Sequence, residues 1–284
     1  MAEPAIELYC CSYRYNADIP ALREVSCTIP AGTWAALIGQ NGSGKTTLAK
    51  LCNGLLRPDE GRVRILGQDI ARQPVSKIAR SVGYLFQNPD HQIFAPTVRE
   101  ELAFGLRNLD FPPVEIEGRI EEALALFSLE PYADQPPAVL GYGLRRQVAV
   151  ASLFALRPPI LILDEPTTGL HWGATQALLD RLAELHRAGH TVLLITHDMR
   201  LVAERAEWVL ILHQGRLLTE GPPRELFAQP EMLARASLSP APITRLAQRL
   251  RPRGMRGDSL TVEEFYREYT TLPVPFRGKA RALP

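Results

Sequence analysis

The amino-acid sequence predicts an α/β fold with a mostly parallel sheet flanked by helices. Short strand-like segments alternate with segments of helical spacing; the strand-like segments are residues 33–38, 62–66, 82–86, 160–163, 192–195 and 209–213. Several of them are apolar at nearly every position, which is typical of parallel strands covered on both faces. A glycine-rich loop also separates the strand 33–38 from a predicted helix at 47–55. Phosphate-binding loops occupy this position between a strand and a helix, so the loop favours the same fold class.

Three further regions depart from simple α/β alternation. Residues 6–15 and 21–29 have β-strand character and precede the first core strand, which predicts an antiparallel β-subdomain at the N-terminus. Residues 97–157 contain three helical segments separated by proline pairs, and we interpret them as a helical subdomain inserted between sheet strands. Residues 229–284 are rich in proline and arginine and predict a small C-terminal domain. The predicted α/β core therefore comprises residues 1–96 and 158–228.

The composition is that of a globular protein and excludes several classes of partner. Among 284 residues, 46% are hydrophobic, and 32 basic residues nearly balance 31 acidic ones, so no general attraction to nucleic acid is expected. The apolar runs are too short to span a bilayer, and the N-terminus lacks the pattern of a secretory signal. Residues 241–284 carry nine Lys or Arg and four Asp or Glu, which fits either a solvated surface or a contact with anionic lipid.

The loop that begins at Gly39 and ends at Thr46 has the spacing of a phosphate-binding loop. Its glycines free backbone N–H groups to surround phosphates, Lys45 reaches the β- and γ-oxygens, and the Thr46 hydroxyl is a ligand for Mg²⁺. The sequence therefore predicts an ATP site. The predicted nucleotide-binding residues of this segment are Gly39, Asn41, Gly42, Ser43, Gly44, Lys45, Thr46 and Thr47.

Polar residues that follow three other apolar strands complete the predicted site. Asp164 and Glu165 end the strand 160–163, where Asp164 can ligate Mg²⁺ and Glu165 can polarise a water molecule. His197 follows the strand 192–195 and is expected to contact a γ-phosphate over the carboxyl edge of the sheet. Gln87 follows the strand 82–86, where its side-chain oxygen could join the Mg²⁺ ligands and the water network.

An aromatic ring is expected to stack on the adenine of ATP. Tyr15 is the predicted residue, with Tyr13 as the alternative, and either could instead be an ordinary strand residue.

Taken in order, these motifs resemble the nucleotide-binding subunits of ATP-binding-cassette (ABC) transporters, over about residues 5–228. The segments 86–94 and 97–105, with short motifs at 242–247 and 261–265, are most similar to the ATPases of energy-coupling-factor transporters, which import vitamins, cobalt or nickel. The resemblance implies that Glu165 is the catalytic base and that His197 is the switch histidine. It also implies that Gln87 and the residues after it face a transmembrane coupling protein.

The signature motif departs from the family pattern Leu-Ser-Gly-Gly-Gln. The aligned residues are Leu140, Gly141, Tyr142, Gly143 and Leu144. In the family this segment contacts the γ-phosphate held by the other subunit of a head-to-tail dimer. Gly141 has no hydroxyl, Tyr142 adds bulk, and Leu144 lacks an amide. The D-loop departs as well, because His171 replaces the usual aspartate.

The resemblance therefore predicts an asymmetric heterodimer, in which this chain's own phosphate site is intact and its contribution to the other site is degraded. The implied partners are a second ABC ATPase subunit with an intact signature, an integral membrane coupling protein and a membrane substrate-binding protein, with no nucleic acid. The expected location is the cytoplasmic face of the cell membrane, as a peripheral subunit that hydrolyses ATP with Mg²⁺. A regulatory nucleotide-binding subunit, a soluble non-transport ABC ATPase and a divergent homodimer remain as alternatives.

Overall fold

The computed structural model describes residues 4–16 and 19–272 and contains two β-sheets. In chain order the strands are β1 (Pro4–Asn16), β2 (Ile19–Pro30), β3 (Trp34–Ile38), β4 (Glu60–Ile65), β5 (Gln68–Asp69), β6 (Val82–Leu85), β7 (Ile160–Asp164), β8 (Thr191–Ile195), β9 (Trp208–His213) and β10 (Arg216–Gly221). The bounds of the predicted strands agree with these to within a few residues. Strands β5 and β10 were not predicted.

The helices of the described residues lie between and after these strands. They are α1 (Lys45–Cys52), α2 (Val75–Ile78), α3 (Val98–Asn108), α4 (Pro113–Leu126), α5 (Tyr142–Leu156), α6 (Trp172–Arg187), α7 (Met199–Arg205), α8 (Pro223–Phe227), α9 (Pro230–Arg235), α10 (Pro242–Arg249) and α11 (Val262–Thr271). None of them is long and apolar enough to cross a membrane.

The larger sheet has six strands in the order β10-β9-β3-β8-β7-β6. Strands β9, β3, β8, β7 and β6 pair in parallel, and β10 pairs antiparallel with β9 at the edge. The smaller sheet, in the order β2-β1-β4-β5, is antiparallel throughout. The predicted fold class, a mostly parallel sheet flanked by helices with an N-terminal antiparallel sheet, is confirmed.

Both faces of the large sheet are buried, which explains its uniformly apolar strands. On β7, Ile160 and Ile162 pack into a cluster with the small sheet and α1. Leu161 and Leu163 point the other way and pack against residues of α5 and α6. Since alternate side chains of a strand face opposite sides, a strand covered on both faces needs apolar residues at every position.

Helices α3, α4 and α5 follow β6 and precede β7, and they share a core of their own. Leu102, Leu106, Ile120 and Leu124 are buried there. Helix α3 begins at the predicted position because the Thr97 hydroxyl caps it, accepting from the Glu100 N–H at 3.2 Å.

The C-terminal segment packs on the large sheet. Phe227 and Leu233 lie in one buried cluster with Ile38 of β3 and Ile211 of β9. Helices α8 and α9 therefore share the hydrophobic core of the α/β region, and Ile243 of α10 packs against the same cluster. Residues 273–284 of the predicted C-terminal domain, including part of the predicted basic region, lie outside the described residues.

Candidate nucleotide-binding site

The predicted phosphate loop connects the C-terminal end of β3 to the N-terminus of α1. Gly39, Gly42 and Gly44 have φ angles of 155°, 78° and 105°, conformations that side-chain-bearing residues rarely adopt. A Cβ atom at Gly44 would lie 2.6 Å from the Ala21 carbonyl oxygen of β2, whereas one at Gly42 would meet no atom within 4 Å. The loop is therefore packed against the small sheet at Gly44 and open at Gly42.

The ammonium group of Lys45 lies within this loop. Its Nζ donates to the Gly39 carbonyl at 2.9 Å and to the Gln40 carbonyl at 2.8 Å. Burial lowers the pKa of Lys45, and the nearby carboxyl groups of Glu165 and Asp164 partly oppose this effect. The positive charge is thus held among backbone carbonyls at the position where the motif places phosphates.

A cleft of about 520 Å³ opens beside the loop and brings most of the predicted site residues together. The predicted residues that line it are Tyr15, Asn41, Gly42, Gly44, Lys45, Thr46, Thr47, Gln87, Asp164 and Glu165. Gly39 and Ser43 lie within the loop itself, and Ser43 is buried with 3% of its surface exposed. The cleft is at the carboxyl edge of the parallel strands, where ligands of open α/β sheets bind.

Two hydroxyl groups converge on the carboxylate of Asp164. Thr46 Oγ1 donates to Asp164 Oδ2 at 2.8 Å, and the Tyr84 hydroxyl donates to the same oxygen at 3.2 Å. Burial, followed by the proximity of Asp164, raises the pKa of Tyr84, so the phenol remains a donor. Tyr84 was not predicted as a site residue. The sequence contained one indication of this role, because Tyr84 carries a hydroxyl group within a predicted buried strand that ends near Gln87.

Glu165 and His197 form a second pair at the same edge of the sheet. His197 Nδ1 lies 2.8 Å from Glu165 Oε1, a distance at which the imidazole donates to the carboxylate. The Glu165 side chain is 11% exposed and that of His197 is 75% exposed. Glu165 has a φ angle of 47°, although it is not glycine. Backbone in this left-handed region costs of the order of 1–3 kcal/mol and clusters at functional sites.

The two candidate tyrosines differ clearly in position. Tyr15 is 52% exposed, lines the cleft and has its hydroxyl 3.1 Å from Thr47 Oγ1. Tyr13 packs against the hydrophobic core and contacts the Tyr15 ring edge-on, with centroids 5.1 Å apart. Of the two, Tyr15 has the ring available to a ligand in the cleft.

The degenerate signature lies at the start of α5 and does not line this cleft. Gly141 is the N-cap residue of α5, with no side-chain cap, and the exposed Tyr142 ring lies against Gly169. Leu144 packs with the core of the helical insert. His171 begins α6, where its Nδ1 accepts from the Ala174 N–H at 3.3 Å.

Comparison with known proteins agrees with this geometry. The family model described as "ABC transporter" matches residues 22–168. The energy-coupling factor transporter ATP-binding protein EcfA of Methanothermobacter thermautotrophicus is 42% identical over 93% of this chain and 86% of that protein. A putative ABC transporter ATP-binding protein of Methanosarcina acetivorans is 44% identical over 88% of this chain, which spans 40% of that relative's length.

Solved structures show the same architecture. The structure of cbiO1 from Clostridium perfringens, described as part of the ABC transporter complex cbiONQ, is 32% identical with a TM-score of 0.71, over 82% of this chain and 94% of that chain. The ATP-binding cassette MJ0796, described as a dimer bound to ADP and Pi, is 26% identical with a TM-score of 0.69, over 76% of this chain and 98% of that chain.

The fold and the phosphate loop together define a P-loop nucleotide-binding protein of the ABC type. The chain belongs to the ABC transporter family. The predicted resemblance to the ATP-binding subunits of energy-coupling-factor transporters is confirmed.

Proposed function

We propose that the chain binds and hydrolyses ATP and thereby drives a membrane importer of a micronutrient, either a vitamin or a transition-metal ion. The observation that carries the proposal is the convergence of Thr46, Asp164, Glu165 and His197 at one edge of the sheet beside the phosphate loop. These side chains come from three separate parts of the sequence. Each has the chemistry that ATP hydrolysis requires at this position.

In the proposed complex, the loop and α1 bind the phosphates of ATP. The backbone N–H groups of the loop, the N-terminal end of α1 and the Lys45 ammonium all favour an anion there. The exposed Tyr15 ring lines the same cleft and offers an apolar face for adenine. Asn41, Gly42 and Thr47 also line this cleft.

The donor set beside the loop suits Mg²⁺. Thr46 and Asp164 present a hydroxyl and a carboxylate oxygen 2.8 Å apart, and the exposed Gln87 lines the same cleft. Mg²⁺ prefers hard oxygen ligands and keeps several water or phosphate ligands, so few protein groups suffice. When bound, the ion neutralises charge on the β- and γ-phosphates. The Tyr84 hydroxyl donates to the same Asp164 oxygen and helps to orient the carboxylate.

Glu165 is the proposed general base. Its carboxyl group is largely shielded from solvent, and the bond from His197 fixes the position of one oxygen. Its other oxygen is not used in this contact and can accept from a water molecule. A positioned base contributes typically 10²–10⁴-fold to such a reaction. The Glu165 contact leaves the second ring nitrogen of His197 free, and this nitrogen can donate to a phosphate oxygen when both ring nitrogens carry a proton.

We further propose that the chain works in an asymmetric heterodimer with a second ABC ATPase of intact signature. The start of α5 carries no side-chain donor at Gly141, and the Tyr142 ring occupies space beside Gly169. In an ABC dimer this helix start would face the partner's nucleotide. Losing one positioned donor costs about 10²–10³ in rate, so the partner's site would turn over slowly.

The membrane coupling protein is proposed to dock near the residues that follow Gln87. Phe94 and Phe104 are both exposed there and stack edge-on with centroids 4.5 Å apart. A shallow cleft beside them is lined by Asp90, Ile93 and Arg145, among others. An exposed aromatic pair next to charged residues suits a protein contact. A separate membrane protein would bind the solute, and this chain would be peripheral at the cytoplasmic face.

The deciding experiment compares ATP hydrolysis by the chain alone, by the chain with its partner ATPase, and by that pair carrying Glu165→Gln. We expect weak turnover alone, faster turnover in the pair, and a loss of at least 100-fold in the variant pair. Retained ATP binding in the variant, measured with a fluorescent nucleotide, shows that the loss is chemical. Full-rate hydrolysis by the chain alone would contradict the asymmetric dimer, and binding without turnover in the pair would favour a regulatory subunit.

A further inference from the structure

Arg146 is a buried arginine on α5, two residues after the degenerate signature. Its side chain has none of its surface exposed, and its helical neighbours Ala149, Val150 and Leu153 are buried apolar residues. Arginine is almost never fully buried unless its charge and donors are satisfied. A specific set of partners must therefore compensate for removing this guanidinium from water.

The guanidinium is surrounded by five backbone carbonyl oxygens from two loops. Three of them belong to consecutive residues at the end of β7, and two belong to consecutive residues at the end of β6. The bonds run from Nη2 to Asp164 O (3.1 Å) and Glu165 O (2.8 Å), from Nε to Pro166 O (3.2 Å), and from Nη1 to Gln87 O (3.0 Å) and Phe86 O.

This arrangement satisfies the side chain electrostatically without an ion pair to a single acid. Burial lowers the pKa of Arg146, while Tyr142, Asp164 and Glu165 oppose that effect. Arginine nevertheless remains protonated in proteins, and its planar fork presents five N–H donors. The guanidinium therefore has enough donors for all five carbonyls, whereas a lysine or glutamine side chain has too few.

The bonds to β7 bracket the strained residue of the site. Glu165 is left-handed, with φ of 47°, and Arg146 binds the carbonyl groups before, at and after it. Strained backbone persists only where its surroundings over-determine it. Two backbone bonds also restrain this turn, one from the Glu165 N–H to the Ile195 carbonyl at 2.9 Å and one from the Thr168 N–H to the Glu165 carbonyl at 3.2 Å.

We propose that Arg146 is a positioning residue that holds the Glu165 turn and the Gln87 segment in fixed relation to each other. Its hydrogen bonds go to backbone carbonyls outside the phosphate loop 39–46, and they do not use the side chains that line the cleft. Its removal should therefore displace the general base while leaving the phosphate loop intact. The expected effect on turnover rests on the proposed hydrolytic role of Glu165. The expected effect on the backbone of the two segments does not depend on that role.

A matched set of arginine substitutions tests this role. Arg146→Gln removes the charge and most donors, and Arg146→Lys keeps the charge without the fork. Arg119→Gln is the control, because Arg119 also donates to backbone carbonyls of α5, at Ala155 (2.8 Å) and Leu156 (3.3 Å), on the α4 side. For each variant we measure hydrogen–deuterium exchange of the full chain. We also measure steady-state ATP hydrolysis in the preparation that hydrolyses ATP, either the chain alone or the chain with its partner ATPase.

In Arg146→Gln we expect faster exchange in segments 84–90 and 162–170, with the loop 39–47 unchanged. The kcat should fall about 10- to 100-fold, since a displacement near 1 Å can cost 10²-fold, while KM for ATP stays within about twofold. Arg146→Lys should recover part of the kcat. Arg119→Gln should leave exchange in both segments and kcat unchanged.

Unchanged exchange in the two segments, or equal losses in Arg146→Gln and Arg119→Gln, would overturn the assignment. A fall in ATP affinity as large as the fall in kcat would also overturn the assignment, because the phosphate loop 39–47 would then have moved. If Arg146→Gln does not fold, Arg146→Lys decides by the same readouts. If the unsubstituted chain shows no turnover in any preparation, the proposed function fails, whereas the exchange measurement still decides the positioning role.

Discussion

The phosphate loop provides a matched pair of substitutions whose effects should differ for a purely steric reason. Gly42 and Gly44 both have left-handed backbone, with φ of 78° and 105°. A Cβ at Gly42 meets nothing within 4 Å. One at Gly44 would lie 2.6 Å from the Ala21 carbonyl oxygen and 2.8 Å from Leu22 Cδ2. Since the Ala21 oxygen is backbone of β2, it cannot turn aside as a flexible side chain would.

Alanine at either position carries a left-handed cost of about 1–2 kcal/mol. Gly44→Ala adds an overpacking cost of about 1–3 kcal/mol, because β2 or the start of α1 must shift. Taking about 2 kcal/mol for that difference and 2–4 °C per kcal/mol, Gly44→Ala should melt roughly 6 °C below Gly42→Ala. Differential scanning calorimetry of the chain without nucleotide measures this directly. Equal melting temperatures, or a lower one for Gly42→Ala, would refute the packing of the loop on β2.

Three further predictions concern the cleft and the signature. Tyr15→Ala should weaken ATP binding by about 1–3 kcal/mol with little loss of stability, whereas Tyr13→Ala should mainly lower the melting temperature. Nucleotide titration measures the affinity and calorimetry measures the melting temperature. Equal ATP affinities of the two variants would contradict stacking on Tyr15. Thr46→Val should reduce the Mg²⁺ dependence of ATP affinity, measured with and without EDTA, while Thr47→Val should preserve that dependence. Gly141→Ser should raise the free energy of unfolding by only a few tenths of a kcal/mol. It should not raise the ATPase rate of the pair, because Tyr142 remains. A large gain in rate would show that the signature lacked only the hydroxyl.

The sequence predicted the fold where its patterns are long and locally determined. The strand–loop–helix at residues 33–55 and the paired carboxylates after β7 were found because buried strands are uniformly apolar and the loop spacing is specific. Strand β10 was missed, since its residues Arg216–Gly221 are only partly buried and lack a continuous apolar run. Its pairing depends on the neighbouring β9, which a local pattern does not contain.

Within the site, the missed residues act through tertiary contacts. In the sequence, Tyr84 has the pattern of an ordinary strand residue. Only the structure shows that its hydroxyl lies 3.2 Å from Asp164 Oδ2. Arg146 had a usable signal, because it falls on the same helical face as Ala149, Val150 and Leu153, which are buried. A charged residue on an apolar face must find partners, so its position indicates a polar contact, although none was predicted. The carbonyls that it binds come from loops about 20 and 60 residues away, and the sequence does not reveal them.

Helix α5 therefore has two distinct parts, and this division explains how a degraded signature can coexist with an intact site. Its first turn is exposed at Gly141 and Tyr142, and substitutions there face outward or toward Gly169. One turn later, Arg146 points inward and binds the loops that carry Glu165 and Gln87. The five carbonyl groups that Arg146 binds belong to residues outside the helix start, although the nearby Tyr142 influences the charge of its guanidinium. If the proposed dimer forms, the chain can lose its contribution to the partner's nucleotide and still keep the carbonyl bonds that hold Glu165, its proposed general base.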